Sequence, residues 1–402
     1  MLTHDFHVHL YGCLSAERLW NFGKDLYKKR TTALDWYASE YQKAWGKKPD
    51  YIRYWESQDG ILLLKDDFLF RSPDSFDRFQ ANFNLIIALC QISTSDFSIP
   101  EQIIRDVQSS GLSYFEARTL ISPRFDHAEA YDYLKGLCHL IRRMNQEGGM
   151  TTKLVFSLFR DQKLAHLHYD WIRLFTERHR DLAEEIVGID VAGKEEGNPP
   201  AENILLFDKI RKDNRKGKRL GLFYHVGESF EDKGIISGIR WVYEAHELLK
   251  VDRLGHATAL GVHPENYRDK VVAEPTEERF ATLNWLLEQQ EVLALHGYRP
   301  DVRKIRHELE ALANGSVRIV YDQDYIDEAL LIQRAVLSLL KSRDAVVESC
   351  PTSNLRIAQL RSEQYHPVRH FKKYGLKFVL GTDDPGIFNT DWKTESELAD
   401  RL

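Results

Sequence analysis

Eight short apolar runs punctuate the chain at residues 5–10, 113–117, 153–159, 186–191, 221–225, 253–256, 345–348 and 377–381. Each has the length of a strand buried on both faces. Amphipathic stretches such as 128–144, 201–212 and 239–249 lie between them, long enough for crossover helices, and this alternation predicts parallel β/α units. Eight units predict an α/β fold closed as a (β/α)8 barrel of the TIM type. With 402 residues, 43% of them hydrophobic, the chain can bury that core as a single domain, 1–402.

Two connections are longer than a crossover needs. They predict helical insertions at about 14–110, after the first strand, and about 260–342, after the sixth. Such additions decorate the mouth of a barrel, form an oligomer contact, or stand apart as a peripheral subdomain. A homo-oligomer is compatible with either of them.

The balance of 55 basic against 61 acidic residues, net −6, disfavours a polyanion partner, so no nucleic acid is expected and a small polar substrate fits better. The basic run 211–219 sits at a predicted helix C-terminus on the face opposite a barrel's active site, where a solvated helix end explains it. Cys13, Cys90, Cys138 and Cys350 lie far apart with no CxxC pairing, which argues against a disulfide framework and against a thiolate zinc site. The start MLTHDFHVHL lacks the basic opening and apolar run of a signal peptide. No segment approaches the roughly 18 apolar residues of a membrane span. A cytoplasmic protein without membrane attachment is the expectation.

His7 and His9 flank one residue of the first strand, and the period-two alternation of strand side chains points both imidazoles into the barrel. Among 16 histidines one such pair arises easily. A second, His166 and His168, falls in a helical segment where residues two apart face away from each other. Position sharpens the reading of the first pair. His225 closes the fifth strand, His256 the sixth, and Asp383 and Asp384 follow the eighth. All these ends share the C-terminal face of a barrel with His9. Three imidazoles and one carboxylate would hold one zinc ion per chain with a position left for water; iron, cobalt or manganese accept the same donors. Such an ion lowers the pKa of its water to about 7. Glu228, on the loop leaving the fifth strand, would stay protonated if desolvated and donate to a ring nitrogen. Beside such water His256 becomes a base and orienting group, and Asp384 a grip for the substrate. Taken singly, each has an ordinary explanation: a helix N-terminal acid for Glu228, a buried histidine for His256, a turn residue before Pro385 for Asp384.

Assembled, the stretches DFHVHLYG, DSFDRFQANF, YFEARTLISP, VGIDVAGKE, YHVGE, DRLGHA, VVESCPTSNL and HPVRHFKKYGLKFVLGTDDP resemble, in order, those of the adenosine/AMP deaminase family of metal-dependent hydrolases. The resemblance implies zinc on His7, His9, His225 and Asp383. It implies that Glu228 protonates N1 of a purine, that His256 activates and stabilises the attacking hydroxide, that Asp384 bonds N7 and that the Gly193 N–H meets N3. The implied reaction replaces the 6-amino group of an adenine nucleoside or nucleotide with oxygen, giving the inosine form and ammonia.

Departures from the family pattern bear on substrate. Tyr11 stands where members acting on free adenosine carry an aspartate, and a tyrosine does not repel a 5′-phosphate. Lys194 follows Gly193 where an acid is usual. The insertion after the sixth strand also resembles additions in deaminase modules of phage-defence systems, which act on adenine nucleotides. Only 18 residues follow Asp384, and the stretch Thr394–Leu402 can begin the closing eighth helix of such a barrel but hardly finish it, so that helix reads as incomplete. Two other readings stay open: a different metal-dependent amidohydrolase, and a catalytically silent barrel serving as an assembly module.

Overall fold

The computed structural model describes residues 3–313 and 315–402. Ten strands lie among them: β1 (His4–His9), β2 (Tyr114–Thr119), β3 (Thr151–Leu158), β4 (Ile186–Val191), β5 (Gly221–Val226), β6 (Arg253–His256), β7 (Val271–Pro275), β8 (Ser316–Val320), β9 (Val346–Ser349) and β10 (Lys377–Leu380). Eight of them form one sheet in the order β1-β2-β3-β4-β5-β6-β9-β10, and the neighbours in it run parallel. The chain beyond β10 closes the ring. Asp383 pairs with Val8, the His9 N–H donates to the Asp383 carbonyl at 2.8 Å, and the Asp383 N–H donates to the His7 carbonyl at 2.8 Å. The result is a (β/α)8 barrel, and its closure fixes His7, His9 and Asp383 relative to one another through the backbone.

The eight barrel strands coincide with the eight apolar runs because the face they turn to the surrounding helices is filled by such side chains: Leu154 and Phe156 of β3, Ile189 of β4 and Leu254 of β6 are wholly buried there. Crossover helices follow the amphipathic rule. His127–Glu147 opens on a capping box between Asp126 and Glu129 and buries Ala130, Tyr133, Leu134, Leu137, Ile141 and Met144 along one face.

The connection from β1 to β2 is helical, running through Ala16–Leu26, Thr31–Trp45, Gly60–Phe68, Phe76–Leu89 and Ser98–Gln108. The connection from β6 to β9 is not wholly helical, as the sequence had suggested. It contains an antiparallel ribbon in which Val271 faces Val320 and Pro275 faces Ser316, and the alternating burial of β7 reflects one covered and one open face. Five residues of period two are too short a signal to stand out inside a long insertion. This connection explains another oddity. Residues 235–245 of the helix Ile235–Glu247 are buried all round, because the insertion's helices Thr276–Glu288 and Gln323–Ser342 pack against it. Arg240 ties the layers together, bonding Glu244 and, at 2.6 Å, Glu278.

The run 211–219 ends the helix Ile204–Asn214 and leads into β5. Its charges have local partners: Lys218 with Glu184 at 3.4 Å and Arg219 with Asp252 at 3.2 Å. Among the described residues no helix is long and apolar enough to cross a membrane.

Candidate active site

Four imidazoles and two carboxyl groups converge at the C-terminal ends of β1, β5, β6 and β10. The His7 ring centroid lies 4.5 Å from that of His225 and 4.7 Å from that of His256. His9 Nε2 is 3.3 Å from His225 Nε2 and 3.4 Å from Asp383 Oδ1, and His7 Nε2 is 3.7 Å from the same oxygen. A tetrahedral ion with bonds of about 2.0–2.2 Å sets its donors roughly 3.3–3.6 Å apart. The His9–His225, His9–Asp383 and His7–Asp383 donor distances are close to that spacing.

Their protonation also fits. His7 Nδ1 donates to Glu348 Oε2 at 2.8 Å, and His225 Nδ1 donates to Asp190 Oδ2 at 2.9 Å. A carboxylate on Nδ1 places the proton there and leaves the Nε2 lone pair free, the tautomer that binds metals. His7 Nε2 is buried and has no hydrogen-bond partner, an arrangement that costs stability unless something accepts its lone pair. Burial, then Arg118 and the neighbouring histidines, hold His7 well below the usual imidazole range. Burial followed by His225 holds His9 down to about 3. Neutral imidazoles beside an acid make a donor set for a divalent cation, and the residues present fit one.

The carboxylates behind the histidines are themselves held by arginines. Arg118, wholly buried, bonds Glu348 and approaches Asp190 at 3.4 Å, and Arg253 Nε lies 3.0 Å from Glu348 Oε1. None of Asp190, Glu348 or Arg118 was singled out from sequence. The signal was there, since EAR, GID and VES place charges inside runs otherwise apolar enough to be fully buried strands.

Glu228 lies on the loop after β5 and is buried. Burial first, then the charges of Asp383 and Glu195, push its carboxyl well above the usual range. Its position comes from Glu195, a buried carboxylate that accepts the N–H groups of Gly227 at 2.8 Å, Glu228 at 2.8 Å and Ser229 at 3.1 Å. Glu195 too escaped the sequence reading, hidden among the acids of KEEG.

His256 ends β6 with φ 59, and Ala257 follows at φ 46. Asp383 has φ 61. Left-handed backbone at non-glycine residues costs of order 1–3 kcal/mol each and clusters at functional sites. Asn354 fixes the His256 ring: its Oδ1 accepts from the Cys350 N–H at 3.2 Å, so its Nδ2 faces and donates to His256 Nδ1 at 3.0 Å. Neutral His256 then carries its proton on Nε2, which is buried without a partner. Asp384 lies across the turn Tyr11–Cys13. A Cβ at Gly12 would stand 1.8 Å from Asp384 Oδ1, so only glycine admits the carboxyl there, and that oxygen too has no partner. Burial, then Asp383 and Glu228, push Asp384 well above the usual carboxylate range.

The remaining candidates are Gly193, Tyr11 and Lys194. Gly193 has φ 96, a conformation that favours glycine, and its carbonyl accepts from Arg160 Nε at 2.9 Å. Tyr11 is half-buried against the core. Lys194 is half-exposed and pairs at 2.7 Å with both Asp77 and Glu196, so its charge is already matched by two acids. Cys350, read as no part of a metal site, brings its sulfur within 4.8 Å of His256 and Asp383 donor atoms. Burial pushes its thiol well above the usual range, which keeps it protonated and a poor ligand.

The adenosine deaminase family model matches residues 46–267 and 306–402. An aminodeoxyfutalosine deaminase of Acidothermus cellulolyticus is 38% identical over 68 residues, 17% of this chain and 19% of that protein. An adenosine deaminase of Plasmodium gallinaceum is 22% identical over 214 residues, 53% of this chain and 37% of that protein. The chain thus spans less than two-fifths of the length of these relatives. Among solved structures, an Arabidopsis N6-mAMP deaminase shares the fold with a TM-score of 0.57 and 18% identity, over 100% of this chain and 87% of that one. The chain belongs to the adenosine deaminase family.

Proposed function

We propose that this protein is a zinc-dependent hydrolase that removes the 6-amino group of an adenine nucleoside or nucleotide, giving the inosine form and ammonia. The observation that carries the reading is the meeting of Glu228 and His256, 3.7 Å apart, beside the donors of His7, His9, His225 and Asp383. A structural barrel has no need to bury a protonated acid against a neutral imidazole next to four converging metal donors.

The chemistry a bound zinc ion would supply is activation of water, whose pKa it lowers to about 7. Protonated Glu228 donates to N1 of the base, which makes C6 electrophilic. His256, its proton kept on Nε2 by Asn354, donates to the attacking oxygen and stabilises the charge it carries. Asp384, raised in pKa and free at Oδ1, acts as a hydrogen-bond donor to N7, and the Gly193 N–H meets N3. A C6–O bond forms and the C6–N bond breaks. Of the two water protons, one leaves with ammonia and one restores Glu228, while N1 keeps the proton it received.

Tyr11 and Lys194 are read as substrate contacts, with Lys194 reaching a phosphate only by exchanging its pairs with Asp77 and Glu196. The test is ammonia release from adenine, adenosine, AMP and ATP before and after chelation. Release from at least one substrate, lost on chelation and restored by zinc, is the expected result. No release from any of the four overturns the reading.

A further inference from the structure

Three elements leave a cleft between them away from the candidate active site: the segment 261–263 that follows β6, the insertion helix Gln323–Ser342 and the helix Pro367–Tyr374. The cleft consists of two adjoining cavities of about 90 and about 340 Å³, which share His263, His370 and Lys373 as walls. Arg334 lines one and Arg369 the other, and no aspartate or glutamate side chain lines either.

Some cations near the cleft have an acid beside them. Arg268, which follows the cleft's first segment, pairs with Glu265, and Arg401 pairs with Glu363 at 3.5 Å. Arg334, Arg369 and Lys373 have no ion-pair partner among the described residues, and all three are exposed. The His263 and His370 rings, which wall both cavities, lie tilted against each other at 5.7 Å and 34°, and His370 Nδ1 is buried without a hydrogen-bond partner. Burial is the main cause that holds the His370 imidazole down to about 4, with Lys373 and Arg334 adding a smaller positive potential there. Unpaired cations in a concave wall backed by Leu330 and Leu337 focus that potential into the cleft.

We propose that this cleft is a second binding site, for a small molecule that carries a phosphate or polyphosphate group. Guanidinium groups and an ammonium group arranged around two imidazoles supply directional donors that match phosphoryl oxygens. The donors come from both the insertion and the barrel, so an occupant would bridge the two.

Isothermal titration of the full chain with inorganic triphosphate tests this, with ATP as a parallel arm. The expected result is saturable binding that weakens as salt is added. Arg334→Glu combined with Lys373→Glu should weaken it by about tenfold or more, as for two reversed charges beside a polyanion. Equal affinity for triphosphate and ATP, both weakened by the reversals, would identify the phosphate chain as the recognised unit; tighter ATP binding that the reversals weaken equally would add the base. Arg369→Glu, on an exposed helix face, provides the same reading if the double variant does not fold. Absence of saturable binding overturns the proposal. So does binding that the charge reversals leave unchanged.

Discussion

Glu228 Oε1 faces His256 Nε2 at 3.7 Å, and the two reach that position by unrelated means. Glu228 is held through its backbone by Glu195, whereas His256 is held through its ring by Asn354. One acid raised above its normal range and one imidazole kept neutral give the separated proton affinities that acid–base chemistry needs. Glu228→Gln keeps the volume and the backbone bonds but removes the proton. The expected outcome is a kcat lowered by about 10²–10⁴-fold with metal content and Tm unchanged. Wild-type turnover in this variant would remove Glu228 from the mechanism.

The carboxylates behind the histidines set how tightly a metal is held. Asp190→Asn and Glu348→Gln each replace a charged acceptor on an imidazole Nδ1 with a neutral amide. Metal affinity should fall by about 10–100-fold in each, measured by competition with a chromophoric chelator. The Glu348 variant also leaves Arg118 and Arg253 without a shared partner, so its Tm should fall as well. Unchanged affinity in both variants would show that these acids serve the barrel rather than the ion.

Glu195 separates positioning from chemistry. Glu195→Ala strands three buried N–H groups on the Glu228 loop, each costing about 1–3 kcal/mol when left without an acceptor. The loop should loosen, lowering kcat while the metal stays bound, and Glu195→Gln, which keeps one acceptor oxygen, should recover part of the loss. Equal kcat in wild type and the alanine variant would refute the positioning role.

How much of this was legible in sequence follows from where each signal lives. The barrel strands were readable because burial on both faces leaves an unbroken apolar run, and His9, His225, His256 and Asp383 because they interrupt or end such runs. The support around them was harder to see. Asp190 and Glu348 look like lone charges until the closed barrel brings β4 beside β5 and β9 beside β10, and Asn354 matters only because its helix returns under β6. The β7–β8 ribbon was lost inside a long insertion, since a two-stranded unit owes its stability to the helices it packs on rather than to its own pattern. Lys194 was legible as a cation near the mouth, but its pairs with Asp77 and Glu196 appear only in the folded chain.

The second histidine pair, 166 and 168, supplies a stability test. It falls in the helix Gln162–Arg178, where His168 is buried against Trp171 at 5.3 Å. Neither ring nitrogen of His168 has a hydrogen-bond partner, and burial lowers its pKa from 6.5 to about 4. The unfolded chain therefore takes up a proton at this residue as pH falls below about 6.5, whereas the folded chain does so only near pH 4. Between these values the unfolded state binds more protons, so His168 makes the fold progressively less stable as pH drops, and above about 6.5 it contributes no pH dependence. His168→Phe retains a ring of similar size and cannot be protonated. Its Tm should fall less steeply than that of the wild type between pH 6.5 and 4, with the two profiles running parallel above pH 7. Thermal melts across that range decide the matter, and identical slopes in the acid window would mean that the buried imidazole finds a partner or water when charged.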